Sequence, residues 1–130
     1  MAENFKEVVV DASFVLAYLL PDEKSGWVDK IFRQYVQGEI VFISTSLLPL
    51  EVLNGLRTAV LKKRFSEKLA GKLAQAFLLL DIKLEPVDFL VSWQVALRKG
   101  ISVYDASYLA LSLEKKTKLL TVDKKLKLKI

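Results

Sequence analysis

Four acidic residues, Asp11, Glu51, Asp105 and Asp123, stand in strongly apolar sequence, where a carboxylate is costly to bury unless it is paired or bound to a metal. Asp11 ends the run Val8-Val9-Val10, and Asp123 ends Leu119-Leu120-Thr121-Val122. Glu51 lies within Leu47-Leu48-Pro49-Leu50-Glu51-Val52-Leu53, and Asp105 within Val103-Tyr104-Asp105-Ala106-Ser107-Tyr108-Leu109-Ala110-Leu111. The chain has no cysteine and no histidine. Thiolate nucleophiles, disulfides, zinc-finger ligand sets and imidazole acid–base catalysis are therefore excluded together. Any hydrolytic chemistry must run on carboxylates, hydroxyls, lysines or a bound hard metal. Clustered carboxylates repel one another and raise each other's proton affinity, a conflict that a divalent cation resolves. Oxygen-only ligands select Mg2+ or Mn2+ over zinc or copper. Such a centre activates water and stabilises the attacking and leaving oxygens of a phosphodiester displacement.

Each acid also has an ordinary structural use. Asp11 is placed to be the N-cap of a following helix, Glu51 and Asp105 are placed to meet helix dipoles, and Asp123 suits a turn before Lys124. These uses are individually reasonable, but four such acids converging on one sheet edge is a poor coincidence. Three polar residues flank them. Thr121 shares the strand side of Asp123, Ser13 is two residues beyond Asp11, and Asn54 is one helical turn after Glu51. Each is placed either to orient a metal-bound water or phosphate or simply to cap and hydrogen-bond at the surface.

The elements that must position these groups alternate. Val8–Val10 is a short β-branched strand, and the sequence from Ala12 to Leu20 reads as a helix stopped by Pro21. A second helix is expected over Ser25–Val36, ending near Gly38, and Ile40–Ile43 is a second buried strand. Ser46 is the expected cap of a helix running to about Lys63, with Pro49 tolerated in its first turn. Ser66 opens a helix reaching Asp81, Lys83–Val87 is a short strand, and Phe89–Lys99 is a helix ended by Gly100. A helix over Val103–Glu114 precedes the strand Leu119–Val122, and Leu126–Ile130 is left as a strand fragment or a trailing end. Buried strands alternating with helices give an α/β sandwich with a mostly parallel sheet. In such sheets ligands bind beyond the carboxyl ends of the strands, where Asp11 and Asp123 lie.

The 130 residues fit one ordinary domain, and a balance of 52% hydrophobic and 27% charged residues is that of a globular chain. No stretch reaches the ~18 uninterrupted apolar residues of a membrane span, and the opening Met-Ala-Glu-Asn-Phe-Lys-Glu lacks the marks of a secretory signal, so a cytoplasmic location is expected. Asn, Gln and Met are scarce, as in heat-adapted proteins. The net charge of +5 falls entirely between Glu114 and Lys129, where seven lysines stand against two acids. This basic end suits either polyanion contact or solubility, and Lys124 and Lys125, directly after Asp123, are placed to meet a phosphate. Trp27, Trp93, Tyr18, Tyr104 and Tyr108, at helical spacing among Leu, Val and Ala, read as core rather than as base-stacking groups.

Four segments, Val-Val-Val-Asp-Ala-Ser, Leu-Glu-Val-Leu-Asn-Gly-Leu, Val-Tyr-Asp-Ala-Ser-Tyr-Leu-Ala-Leu and Leu-Leu-Thr-Val-Asp-Lys-Lys-Leu, resemble in order and spacing the PIN domain family, and within it the VapC-type toxins. The resemblance covers nearly the whole chain. It implies a three-layer α/β/α fold over residues 1–130, a Mg2+- or Mn2+-dependent endoribonuclease, and a homodimer inhibited by a small antitoxin. Position by position, Asp11, Glu51 and Asp105 correspond to the principal metal-site acids, Asp123 to the fourth, more variable one, and Thr121 to the hydroxyl before it. The last strand of the family's five-stranded sheet is expected to be short or absent. The rival is a PIN-fold module that binds RNA or a protein without cutting, because a fold does not guarantee an activity. An aspartyl phosphatase would want a carboxylate at position 13, which is Ser. A receiver-type phosphoacceptor would want acids where Val8–Val10 stand.

Overall fold

The structure, a computed structural model, describes residues 6–23 and 25–130. Residues 1–5, part of the opening stretch judged free of a targeting signal, lie outside the described residues. Four parallel strands, β1 (Lys6–Val10), β2 (Ile40–Thr45), β3 (Lys83–Glu85) and β4 (Leu119–Leu120), form one sheet in the order β3-β2-β1-β4. Among the described residues seven α-helices accompany them: α1 (Ala12–Leu19), α2 (Gly26–Val36), α3 (Leu48–Leu61), α4 (Glu67–Leu78), α5 (Phe89–Lys99), α6 (Val103–Lys115) and α7 (Lys124–Lys127). The chain advances from β1 to β3 in one direction and then crosses back to β4. With right-handed crossovers this puts α1–α4 on one face of the sheet and α5–α6 on the other, the expected α/β/α layering.

Local sequence explains most boundaries. Val8, Val9 and Val10 are all buried, as a central parallel strand covered on both faces requires, and they pair with Phe42, Ile43 and Leu120 across two ladders. Ser66 caps α4 by accepting the Leu69 N–H at 3.1 Å, and Gly100 ends α5 in the left-handed conformation at φ 67°. Ser46 is not the cap of α3. Strand β2 runs on to Thr45, the Ser46 N–H is used in a bond to Glu85 O, and the Thr45 hydroxyl accepts the Leu47 N–H instead. Strand β4 is shorter than the expected Leu119–Val122, and Leu126–Ile130 adds no strand, in keeping with a last strand that is short or absent; Asp123 instead starts α7 and turns Leu126 into the core.

An aromatic cluster locks α1 and α2 onto β2. Phe32 lies 5.4 Å from Phe14 and 5.0 Å from Phe42 between ring centroids, with Tyr18 stacked on it at 3.8 Å and Tyr35 stacked on Phe42 at 4.4 Å. On the same face α1 and α3 approach so closely that a Cβ at Gly55 would come within 2.4 Å of Leu16 Cδ1. That contact brings the first turn of α3, which carries Glu51, toward the helix begun by Asp11. Among the described residues no helix is long and apolar enough to cross a membrane.

Candidate active site

The reversal in strand order falls between β1 and β4, and such a reversal leaves a crevice at the carboxyl ends of the strands. The β1–β4 ladder delivers two groups to that crevice. The Asp11 N–H bonds to Leu120 O at 3.3 Å, so Asp11 emerges beside Thr121. Asp11 is 3% exposed and caps α1, its Oδ1 accepting the Phe14 N–H at 2.9 Å and the Ser13 hydroxyl at 2.7 Å. The Thr121 hydroxyl supports the same carboxylate and lies 3.0 Å from Ser13 Oγ, and Ser13 Oγ in turn accepts the Val122 N–H at 3.1 Å. Ser13 and Thr121 thus tie the ends of β1 and β4 together around Asp11.

Glu51 sits in the first turn of α3 and Asp105 in the first turn of α6, where Ser102 caps the helix through the Asp105 N–H at 3.0 Å. Tyr108, one turn along α6 from Asp105, is fully buried and donates its hydroxyl to Glu51 Oε1. Asp123 is exposed and caps α7, its Oδ1 accepting the N–H groups of Lys125 at 2.9 Å and Leu126 at 3.1 Å. Asn54 faces solvent on α3.

The electrostatics link these acids in sequence. Burial pushes the Asp11 carboxyl above its ordinary range against the hydrogen bonds from Thr121, Phe14 and Ser13, and the like charge of Asp105 pushes it further. Asp105 is raised by its own burial and then by the charge of Asp123. Burial, and after it the Glu51 carboxylate, raises the Tyr108 hydroxyl, which keeps it a proton donor. Among the described residues, no Lys or Arg forms an ion pair with any of the four acids. The site is therefore an oxygen-only donor set with uncompensated negative charge, which fits a hard divalent cation in kind. As they are placed, no three acids among the described residues stand close enough to enclose an ion. Asp11 and Asp123 are engaged as caps and Glu51 by Tyr108, and mutual repulsion favours that separation.

Three side chains read as core behave otherwise. Trp27, Trp93 and Tyr104 are 40%, 52% and 61% exposed. Helical spacing marks one face of a helix, but it does not decide whether the next layer covers that face. Tyr108, also read as core, is buried, yet its hydroxyl reaches the site. The signal was its spacing of three from Asp105, which puts both on one helical face.

The PIN domain family profile matches residues 8–129. Ribonuclease VapC3 of Pyrobaculum aerophilum is 26% identical over 120 residues, covering 92% of each chain. Among solved structures, PAE2754 from Pyrobaculum aerophilum superposes with a TM-score of 0.75 at 22% identity, over 95% of this chain and 79% of that one. Mycobacterium tuberculosis VapC20, described as a sarcin-ricin loop cleaving toxin, superposes with a TM-score of 0.63 at 17% identity over 93% of both chains.

Proposed function

The chain belongs to the PIN domain family, and on that premise we propose that residues 1–130 form one Mg2+- or Mn2+-dependent endoribonuclease domain, a cytoplasmic toxin of a toxin–antitoxin pair. The observation that carries this reading is the chain of like charges Asp11, Asp105 and Asp123 at the crevice where the strand order reverses. The name of the VapC3 relative and the description of VapC20 as a cleaving toxin support RNA as the substrate.

Asp11, Glu51, Asp105 and Asp123 would hold the cation, which when bound supplies charge for the attack of water on a phosphodiester and for the departing oxygen. The rest falls to the protein. Ser13, Thr121 and the Phe14 N–H fix the rotamer of Asp11 and so hold its carboxylate at the crevice. Tyr108 holds Glu51 on the α6 side of the crevice, and the Asp123 N–H donated to Thr121 Oγ1 at 3.1 Å keeps the β4 end closed around the same hydroxyl. Lys124 and Lys125, exposed beside Asp123, supply positive charge for a phosphate. Phe89, Trp93 and Leu97, spaced four residues apart on α5 and all exposed, support a protein partner, either the antitoxin or the second subunit of a homodimer.

A second reading, a PIN-fold module that binds without cutting, is favoured by the separation of the four acids. One assay decides between them. Structured and single-stranded RNA are incubated with wild type and Asp11→Asn in Mg2+, Mn2+ or EDTA. Cleavage that needs metal and disappears in Asp11→Asn supports the nuclease. Cleavage surviving EDTA or the substitution refutes the metal mechanism, and metal binding without cleavage favours the silent module.

A further inference from the structure

Beside the crevice, an open cleft of about 330 Å3 is lined by Trp27, Leu119, Leu120, Thr121 and Lys127. Its components come from α2 and, far from it in sequence, the β4 end and α7. Thr121 belongs to the hydrogen-bond group around Asp11, so the cleft and the proposed catalytic crevice share a wall. The Trp27 ring leans on Phe14 at 5.5 Å and 51°, and Phe14 gives its N–H to Asp11, so the indole is anchored to the site from behind. Its outer face carries Lys127, whose Nζ lies 4.8 Å from the ring centroid.

Resting on the reading of this protein as an RNA enzyme, we propose that the Trp27–Lys127 cleft seats one unpaired nucleobase of the RNA strand and its phosphate next to the cleavage site. Three physical features carry the proposal. An indole this exposed is an open stacking platform, and stacking accepts every base because each has a π face. The cation on that platform marks the ring as electron-rich and solvent-accessible, and an ammonium on a flexible stem leaves it at little cost. A base taking the ring face displaces Lys127, whose charge then meets the phosphate of the same nucleotide, while Lys124 and Lys125 continue the positive edge. Strand β4 has β1 on one side and, among the described residues, no strand on the other. A paired base offers no free face to this wall, so the cleft selects single-stranded or looped RNA over duplex.

Trp27 and Trp93 are the two tryptophans, so a Trp93→Phe chain leaves Trp27 as the sole indole. Its fluorescence is followed in EDTA as a short single-stranded RNA is added, with binding read in parallel from the anisotropy of a labelled oligonucleotide. RNA is expected to quench Trp27, whereas inorganic polyphosphate, which has charge but no base, leaves it unquenched. Trp27→Leu should weaken binding about tenfold, and Trp27→Phe should recover much of that loss. Lys127→Met should lower the slope of log affinity against log salt by about 0.7. RNA that binds without quenching Trp27, equal quenching by polyphosphate, or unchanged affinity in Trp27→Leu each overturns the proposal. Should Trp27→Leu not fold, the quenching and the Lys127→Met slope still decide the matter. Wild type that cleaves RNA while Trp27 stays unquenched defeats the cleft alone. Wild type that neither binds nor cleaves RNA defeats the nuclease reading and the cleft together.

Discussion

Replacing Tyr108 by Phe tests whether this tyrosine positions Glu51. The side chain is 1% exposed and keeps its volume in the substitution, so no cavity is created. What disappears is the hydrogen bond given to Glu51 Oε1, together with the one received from the Thr45 hydroxyl. Hydrogen bonds to charged groups contribute about 1.5–3 kcal/mol, and the half-buried position of Glu51 lets water replace part of it, leaving a loss of about 1–2 kcal/mol. For a chain of this length that lowers Tm by roughly 3–10 °C. A double-mutant cycle with Glu51→Ala, followed by circular dichroism in EDTA, isolates the pair, and a coupling of about 1 kcal/mol is expected. A second readout concerns metal. Partners that orient a ligand are generally worth about 10–100-fold in metal affinity, so the Mg2+ concentration that half-saturates thermal stabilisation should rise about tenfold or more in Tyr108→Phe. Coupling below about 0.5 kcal/mol would show the two residues to be independent. An unchanged Mg2+ midpoint would show that Tyr108 does not position a metal ligand.

Asp11→Asn keeps the helix cap, because an amide oxygen accepts the same N–H. The folded protein holds the proton on Asp11 more readily than the unfolded chain, so this group favours folding below pH 3.8 and that contribution is lost as pH rises through its folded value. Metal-free Asp11→Asn should therefore melt no lower than wild type at pH 7 but lose the Mg2+-induced rise in Tm, and a lower metal-free Tm would contradict the burial cost. The opposite sign applies to Asp22, which Arg64 binds at 2.6 and 2.9 Å and holds below its ordinary range. Its contribution is present above pH 3.8 and lost as pH falls through the folded value, so Arg64→Met should flatten the fall in Tm below pH 3.8, and an unchanged acid limb would refute that pairing. Ser44→Ala removes the donor to Val10 O at 2.6 Å at a fully buried position of β2, with an expected loss of about 1–2 kcal/mol in urea unfolding; a loss under about 0.5 kcal/mol would mean another donor takes over. Phe32→Ala opens the centre of the aromatic cluster and should cost about 3–5 kcal/mol, and retention of the wild-type urea midpoint would show the cluster to be peripheral.

The elements were legible in the sequence because their signals are local. A run of three valines, a proline in a first turn, and Gly100 where a left-handed residue is needed act over a few residues and need no partner. The absence of histidine and cysteine likewise excluded thiolate and imidazole chemistry without reference to any fold. The positions of Asp11 after a strand and of Glu51 and Asp105 in first turns followed from the same local signals. What the sequence could not contain was which faces find a cover. Trp27 and Phe32 share one helix and similar apolar surroundings, yet Phe32 is sealed by Tyr18 and Phe42 while Trp27 looks out over Lys127, a neighbour one hundred residues away. The same holds for Tyr108 meeting Glu51 and for Ser13 meeting Thr121. These pairs exist only because the crossover after β3 returns the chain to the far side of β1, and no periodicity within one element encodes that return. Local chemistry placed the acids at strand ends and in first helical turns, whereas long-range strand order chose which hydroxyl, which ring and which like charge each would face.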